Sequence, residues 1–309
     1  MENFASITRV LKAPTKPITN FASLQILLPL LASFKLDGIR CITHPKHGPV
    51  SQKMLPIPNL HVRKCLKEHC PPYLDGELVT YTNGKLDDFN AVQSKIMSRD
   101  GDPDFHFMVF DSFKNIYDPF HARYAFACEQ IIENRAKACM DSDDPEYFLQ
   151  FLKQHSCETL ASVELFERIA LAQGYEGIML RRPGGWYKEG RSTEREGYLL
   201  KVKRFLDDEA VVIGIKEAME NCNPATKDAN GLIKRSKHAA NMKGKGMVGM
   251  LECRWHGLTF GLSGFTEAQA VAWWLRPEKI IGERVTFTYQ PHGTQTLPRS
   301  PKFKGIRYD

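Results

Sequence analysis

The feature that most constrains this chain is a change of pattern near Phe205-Leu206-Asp207-Asp208. Before it, amphipathic helical stretches alternate with short apolar runs. After it come short alternating runs, Ala210 to Ile215, Gly249 to Trp255, Leu258 to Leu262 and Arg284 to Tyr289, with one helix from Glu267 to Leu275. Thr266 and Gln269 make a capping box for that helix. Several short strands around one helix suit a small antiparallel barrel of the OB type. At 309 residues the chain is long enough for two cores. The expectation is an α+β chain. Residues 1–206 build a domain of mostly antiparallel sheets with helices, and residues 207–309 build an all-β barrel. Asp207 is the expected hinge.

In the first part, helices are expected over Leu60 to Lys67, Phe89 to Met97, Ala122 to Ala138 and Val163 to Ala172. Strands are expected over Tyr73 to Val79, Phe105 to Phe110, Gly177 to Leu180 and Gly197 to Val202. The apolar run from Phe21 to Phe34 is broken by Pro29 and too short to span a bilayer, so it reads as a core segment. No membrane partner is expected. The eight cysteines include no C-x-x-C pair, which argues against structural zinc and fits a reducing cytoplasm. A net charge of +6 says little unless it clusters. It does cluster, at Lys227, Lys234, Arg235, Lys237, Lys243 and Lys245.

The apolar run ends on Lys35-Leu36-Asp37-Gly38-Ile39-Arg40. A lysine at the edge of an apolar layer is partly desolvated, which frees its amine as a nucleophile. Gly38 permits close backbone approach, and Arg40 offers a planar fork for phosphate. Further along, Lys201 and Lys203 are two apart in an expected strand, so both ammonium groups share a face. Such convergence suits a bound polyanion, and a triphosphate is the obvious occupant. Glu176 stands just before Gly177; its plain alternative is a bridge to Arg181 or Arg182.

Lys-x-Asp-Gly-x-Arg resembles the signature of the covalent nucleotidyltransferases: ATP-dependent DNA ligases, RNA ligases and mRNA capping enzymes. The remaining motifs of that family follow in order at Glu77, Phe110, Glu176 and Lys201/Lys203, with a short arginine motif at Pro119 to Arg123. The resemblance implies that Lys35 carries AMP from ATP and that Glu77 meets the ribose. It also implies that Phe110 stacks on adenine, and that Glu176, with Glu77, holds Mg²⁺. Lys201 and Lys203 would bind phosphate and lower the pKa of Lys35, while Asp37 and Arg40 would face the nick.

Arg40 is the DNA-ligase form of the first motif. Ser51 opens a second ligase motif that usually reads Ser-Arg; Gln52 replaces the arginine, and Lys53 is the candidate substitute. The basic segment with Lys234, Arg235, Lys237, Lys243 and Lys245 resembles the DNA-binding insertion of small viral and phage ligases. Arg299, Lys302 and Arg307 resemble their closing motif. ATP rather than NAD⁺ is expected because about thirty residues precede Lys35, with no nicotinamide-gripping domain among them. The expectation is therefore a monomeric ligase of nicked duplex DNA, in the cytoplasm of a bacterium or virus-infected cell. An RNA ligase or capping-type enzyme is the alternative. A non-enzymatic OB-type nucleic-acid-binding protein is the second.

Overall fold

The computed structural model describes residues 7–137, 147–227, 233–236, 238–290 and 296–307. The chain divides into two compact units, one ending at Lys203 and one beginning at Arg204. No helix among the described residues is long and apolar enough to cross a membrane.

Two larger sheets build the first unit among the described residues, beside a short parallel pair of Leu11–Lys12 and Gly190–Arg191. One has the strand order Leu200–Lys203, Gly177–Arg181, Leu30–Phe34, His155–Cys157, all antiparallel. Helix Leu160–Ala172 covers it, started by Thr159, whose side chain accepts from the Ser162 amide. Leu24, Leu30, Ala32, Val163, Ile178 and Leu200 are fully or almost fully buried between them. The other sheet runs Gly48–Ser51, Ile39–His44, Leu74–Thr82, Phe105–Ser112, Leu149–Phe151, with only the last pair parallel. Helices Leu60–His69, Phe89–Met97 and Phe120–Lys137 bury Leu66, Val92, Ile96, Ala127 and Ile131 against it. Leu30–Phe34 belongs to the first sheet and Ile39–His44 to the second, so Lys35 to Gly38 is the crossing between them.

The second unit is one five-stranded antiparallel sheet, ordered Leu258–Leu262, Met242–Trp255, Leu206–Asn221, Arg284–Gln290, Arg299–Ile306. It curls until its edges meet: the Phe303 amide donates to the Ser263 carbonyl at 2.9 Å. That bridge brings the two edge strands together, and contact of this kind shields part of each edge. Helix Glu267–Leu275 carries the expected Thr266/Gln269 capping box.

Two expectations need correction here. Asp207 is not in a loop. It pairs with Thr288 in the ladder and its carboxylate accepts from Lys304 at 2.7 Å, so a swing there would break strand pairing. Arg204 and Phe205, between the strands, are the connecting residues. The basic insertion is not a plain loop either. The two long strands stay paired out to Asn221 opposite Met242, forming a ribbon that carries a small hairpin of Ala225–Lys227 and Ile233–Arg235.

Candidate active site

The site is assembled where the two sheets of the first unit are joined. Lys35 follows the end of its strand, and its amide donates to the Gly177 carbonyl at 2.9 Å. Its ammonium forms an ion pair with Glu176. Lys203 reaches the same carboxylate at 2.9 Å. Glu176 is 6% exposed. Burial alone would push its carboxyl up, but Lys35 and Lys203 outweigh that and hold it at about 2. The plain alternative for Glu176 does not occur with Arg181, which donates to Asp111 at 2.6 Å instead. Lys201 and Lys203 alternate with the buried Leu200 and Val202, so they share the open face of their strand. Burial, then Lys203 and Lys35, lower the Lys201 pKa.

Two glycines make this approach physically possible. A Cβ on Gly38 would overlap the Leu78 carbonyl oxygen, and one on Gly177 would overlap the Val202 carbonyl oxygen. Each therefore sits beside a charged motif residue because a neighbouring strand passes too close for a side chain.

The second sheet supplies the other wall. Arg40 and Glu77 are cross-strand partners. Burial pushes the Glu77 carboxyl up to about 7, while Arg40 and Lys35 pull it down. A carboxyl in that range can both donate to and accept from hydroxyl groups, which suits a ribose and weakens Glu77 as an anionic metal ligand. Two guanidinium groups approach the Phe110 ring, Arg40 at 4.6 Å and Arg181 at 5.3 Å from its centroid.

Arg40 differs from its expected role. Its Nε and one Nη each donate to Asp75 at 2.6 Å, and that Nη also donates to the Leu11 carbonyl at 3.2 Å. The fork read as a phosphate binder is turned inward onto a fully buried carboxylate. The Tyr187 hydroxyl donates to the same Asp75 at 2.6 Å. A parallel arrangement holds Asp111, which accepts from Arg123 at 2.9 Å and from Arg181. Asp75, Asp111 and Tyr187 were not singled out from the sequence, and Arg181 was named only as a possible partner of Glu176. Asp75 and Asp111 had a signal, since each adjoins a motif residue, Gly76 or Phe110.

The remaining expected residues are spread more widely. Asp37 lies in the crossing and contributes to the field at Glu77. Lys53 is exposed in the turn after Ser51. On the second unit, Lys243 and Lys245 are exposed on the ribbon, Lys243 opposite Glu220. Arg235 donates to the Asn223 carbonyl. Lys234 lies on the Ile233–Arg235 strand, and Lys237 falls outside the described residues. Arg307 pairs with Glu209 at 2.8 Å, and Lys302 pairs with Thr288 in the ladder.

Residues 25–203 match the ATP dependent DNA ligase domain family. The chain belongs to the ATP-dependent DNA ligases. Residues 241–307 of this ligase match the DNA ligase OB-like domain. A Chlorella virus DNA ligase-adenylate is similar at 27% identity and a TM-score of 0.53, over 98% of this ligase and 99% of that chain. A Lig E DNA ligase shares the fold, with a TM-score of 0.69 at 22% identity over 97% of this ligase and 100% of that chain. No curated protein matches.

Proposed function

We propose that this ligase seals nicks in duplex DNA through an AMP adduct on Lys35, acting as a monomer. The observation that carries the reading is the convergence of Lys35, Lys203 and Glu176 at the junction of two sheets, with Lys201 beside them. The similar Chlorella virus protein is itself a ligase-adenylate, which supports the same chemistry here.

The carboxylate content of the site fits Mg²⁺. Among the described residues no group of three or more His, Cys, Asp or Glu could hold a metal. Mg²⁺ needs no such cage, because it keeps most of its waters and takes one or two carboxylates plus phosphate oxygens. Glu176 would be its protein ligand. When bound, the ion would stabilise charge on the phosphate oxygens.

Entry of a triphosphate brings negative charge to Lys201 and Lys203 and loosens the hold of Lys203 on Glu176. Lys35 leaves its carboxylate partner and gives a proton to solvent. Its Nζ then forms a bond to the α-phosphorus as the bond to the bridging oxygen breaks; pyrophosphate leaves with the electron pair, and a second amine proton passes to solvent to leave the neutral phosphoramide nitrogen. Positioning and electrostatics supply most of the acceleration. The adenylyl group next passes to a 5′-phosphate, releasing the lysine. The 3′-hydroxyl attacks that phosphate, and AMP departs. Phe110 offers a platform for the adenine and Glu77 a partner for the ribose.

The ribbon supplies cations for the DNA backbone through Arg235, Lys243 and Lys245. The test is incubation with α-labelled ATP and Mg²⁺, then nicked duplex. Transfer of label from protein to DNA and then to free AMP is expected. Label that never reaches protein would overturn the reading.

A further inference from the structure

We propose that the face-to-face stack of Phe34 and Tyr175 is the positioning element that sets the Lys35 amine for attack, a reading that rests on the lysyl-adenylate chemistry above. Phe34 immediately precedes Lys35, and Tyr175 immediately precedes Glu176. The two rings lie 4.3 Å apart with planes 12° from parallel. The next residue of each segment makes the Lys35–Glu176 ion pair. The Lys35 amide bonds the Gly177 carbonyl one step further on. Ring stack, ion pair and backbone bond thus join the same two short segments in succession.

A regular antiparallel ladder would not produce this arrangement. The register places Phe34 opposite Ile178, not Tyr175. At Gly177 the backbone takes φ +155°, a conformation that glycine adopts at low cost. The chain leaves the ladder there, and Tyr175 and Glu176 turn toward Phe34 and Lys35. The Tyr175 amide donates to the Ala170 carbonyl at 2.9 Å and ties the backbone of that turn to the helix end, but this leaves the lysine side chain unset. The ion pair alone is a weak geometric constraint, because the lysine stem is long and freely rotating. Parallel rings have a preferred separation and tilt. Phe34 is also parallel to Phe166 at 5.1 Å and 4°, and Phe166 meets His155 at 4.7 Å. The column therefore anchors the turn to helix Leu160–Ala172 and to the edge strand His155–Cys157.

Each ring is one residue removed from the charged group it would place, Lys35 or Glu176. Both are positioning residues, acting through Lys35 and Glu176. Attack in line with a leaving group tolerates little displacement, and an error near 1 Å can cost about 100-fold.

The test uses the full chain with Phe34→Leu, Tyr175→Leu and Tyr175→Phe. Single-turnover self-adenylylation is followed with α-labelled ATP. In parallel, each variant seals a nick whose 5′ end already carries the adenylate, a step that forms no bond to Lys35. Both leucine variants are expected to adenylylate at least about tenfold more slowly. Their half-saturating ATP concentration and their rate on pre-adenylylated DNA should stay close to those of the unaltered protein. Tyr175→Phe, which keeps the ring, should recover the rate lost in Tyr175→Leu. Undiminished adenylylation in both leucine variants would overturn the proposal. So would equal loss of both steps with a lowered melting temperature, which would make the rings ordinary core. Lys35→Ala run alongside separates the two claims: if that variant still becomes labelled, the lysyl-adenylate reading itself fails.

Discussion

Glu176→Gln is the substitution whose consequence the structure fixes most closely. Glutamine keeps the shape and mimics the protonated acid, but cannot carry charge. The native carboxyl titrates at about 2 against an ordinary 4.5, because Lys35 and Lys203 prefer it ionised by more than burial opposes it. The folded pKa lies below the unfolded one, so the pairing stabilises the fold above pH 4.5 and is lost as pH falls toward 2. That difference corresponds to about 3 kcal/mol at neutral pH. Urea unfolding of both proteins over a pH series measures it, since every other titrating group cancels in the comparison. The glutamine variant should be about 3 kcal/mol less stable near neutrality, with the gap shrinking to about 1 kcal/mol near pH 3. A gap that stays constant with pH would refute the electrostatic reasoning and leave only a packing effect.

Tyr187→Phe removes a buried bond to the Asp75 carboxylate and should cost about 2 kcal/mol in urea unfolding, with nucleotide binding weakened if Arg40 shifts against Phe110. Gly38→Ala drives a methyl group into the Leu78 carbonyl, so soluble yield and adenylylation should both fall; an active, well-folded variant would contradict the close approach. Replacing Arg235, Lys243 and Lys245 together with glutamine should weaken binding to nicked DNA and flatten its salt dependence, by about one in slope per lost phosphate contact. Self-adenylylation should persist in that variant, measured with α-labelled ATP.

The order of the charged motifs was legible because each needs a particular residue beside a glycine or within a strand. Lys35-x-Asp37-Gly38, Asp75-Gly76-Glu77 and Glu176-Gly177 all advertise a charge next to a tight backbone approach. The partners of those charges were not legible. Arg40 and Asp75 meet because their strands lie side by side, and nothing local to either residue says so. Tyr187 reaches Asp75 from 112 residues away. The ribbon was hidden for a different reason. Met242-Lys243-Gly244-Lys245-Gly246 has no apolar alternation, since neither face of a ribbon beyond the barrel needs burial, and only Gly249 to Trp255 carried the strand signal. The Phe34–Tyr175 stack was not legible, because stacking depends on a turn at Gly177 that the sequence does not display.

The central claim is that one particular amine carries the nucleotide. Mass spectrometry of proteolytic fragments after incubation with ATP and Mg²⁺ tests it directly. The account predicts an AMP adduct confined to the fragment bearing Lys35 and absent from Lys35→Ala. An adduct on any other residue, or one that survives that substitution, would contradict it.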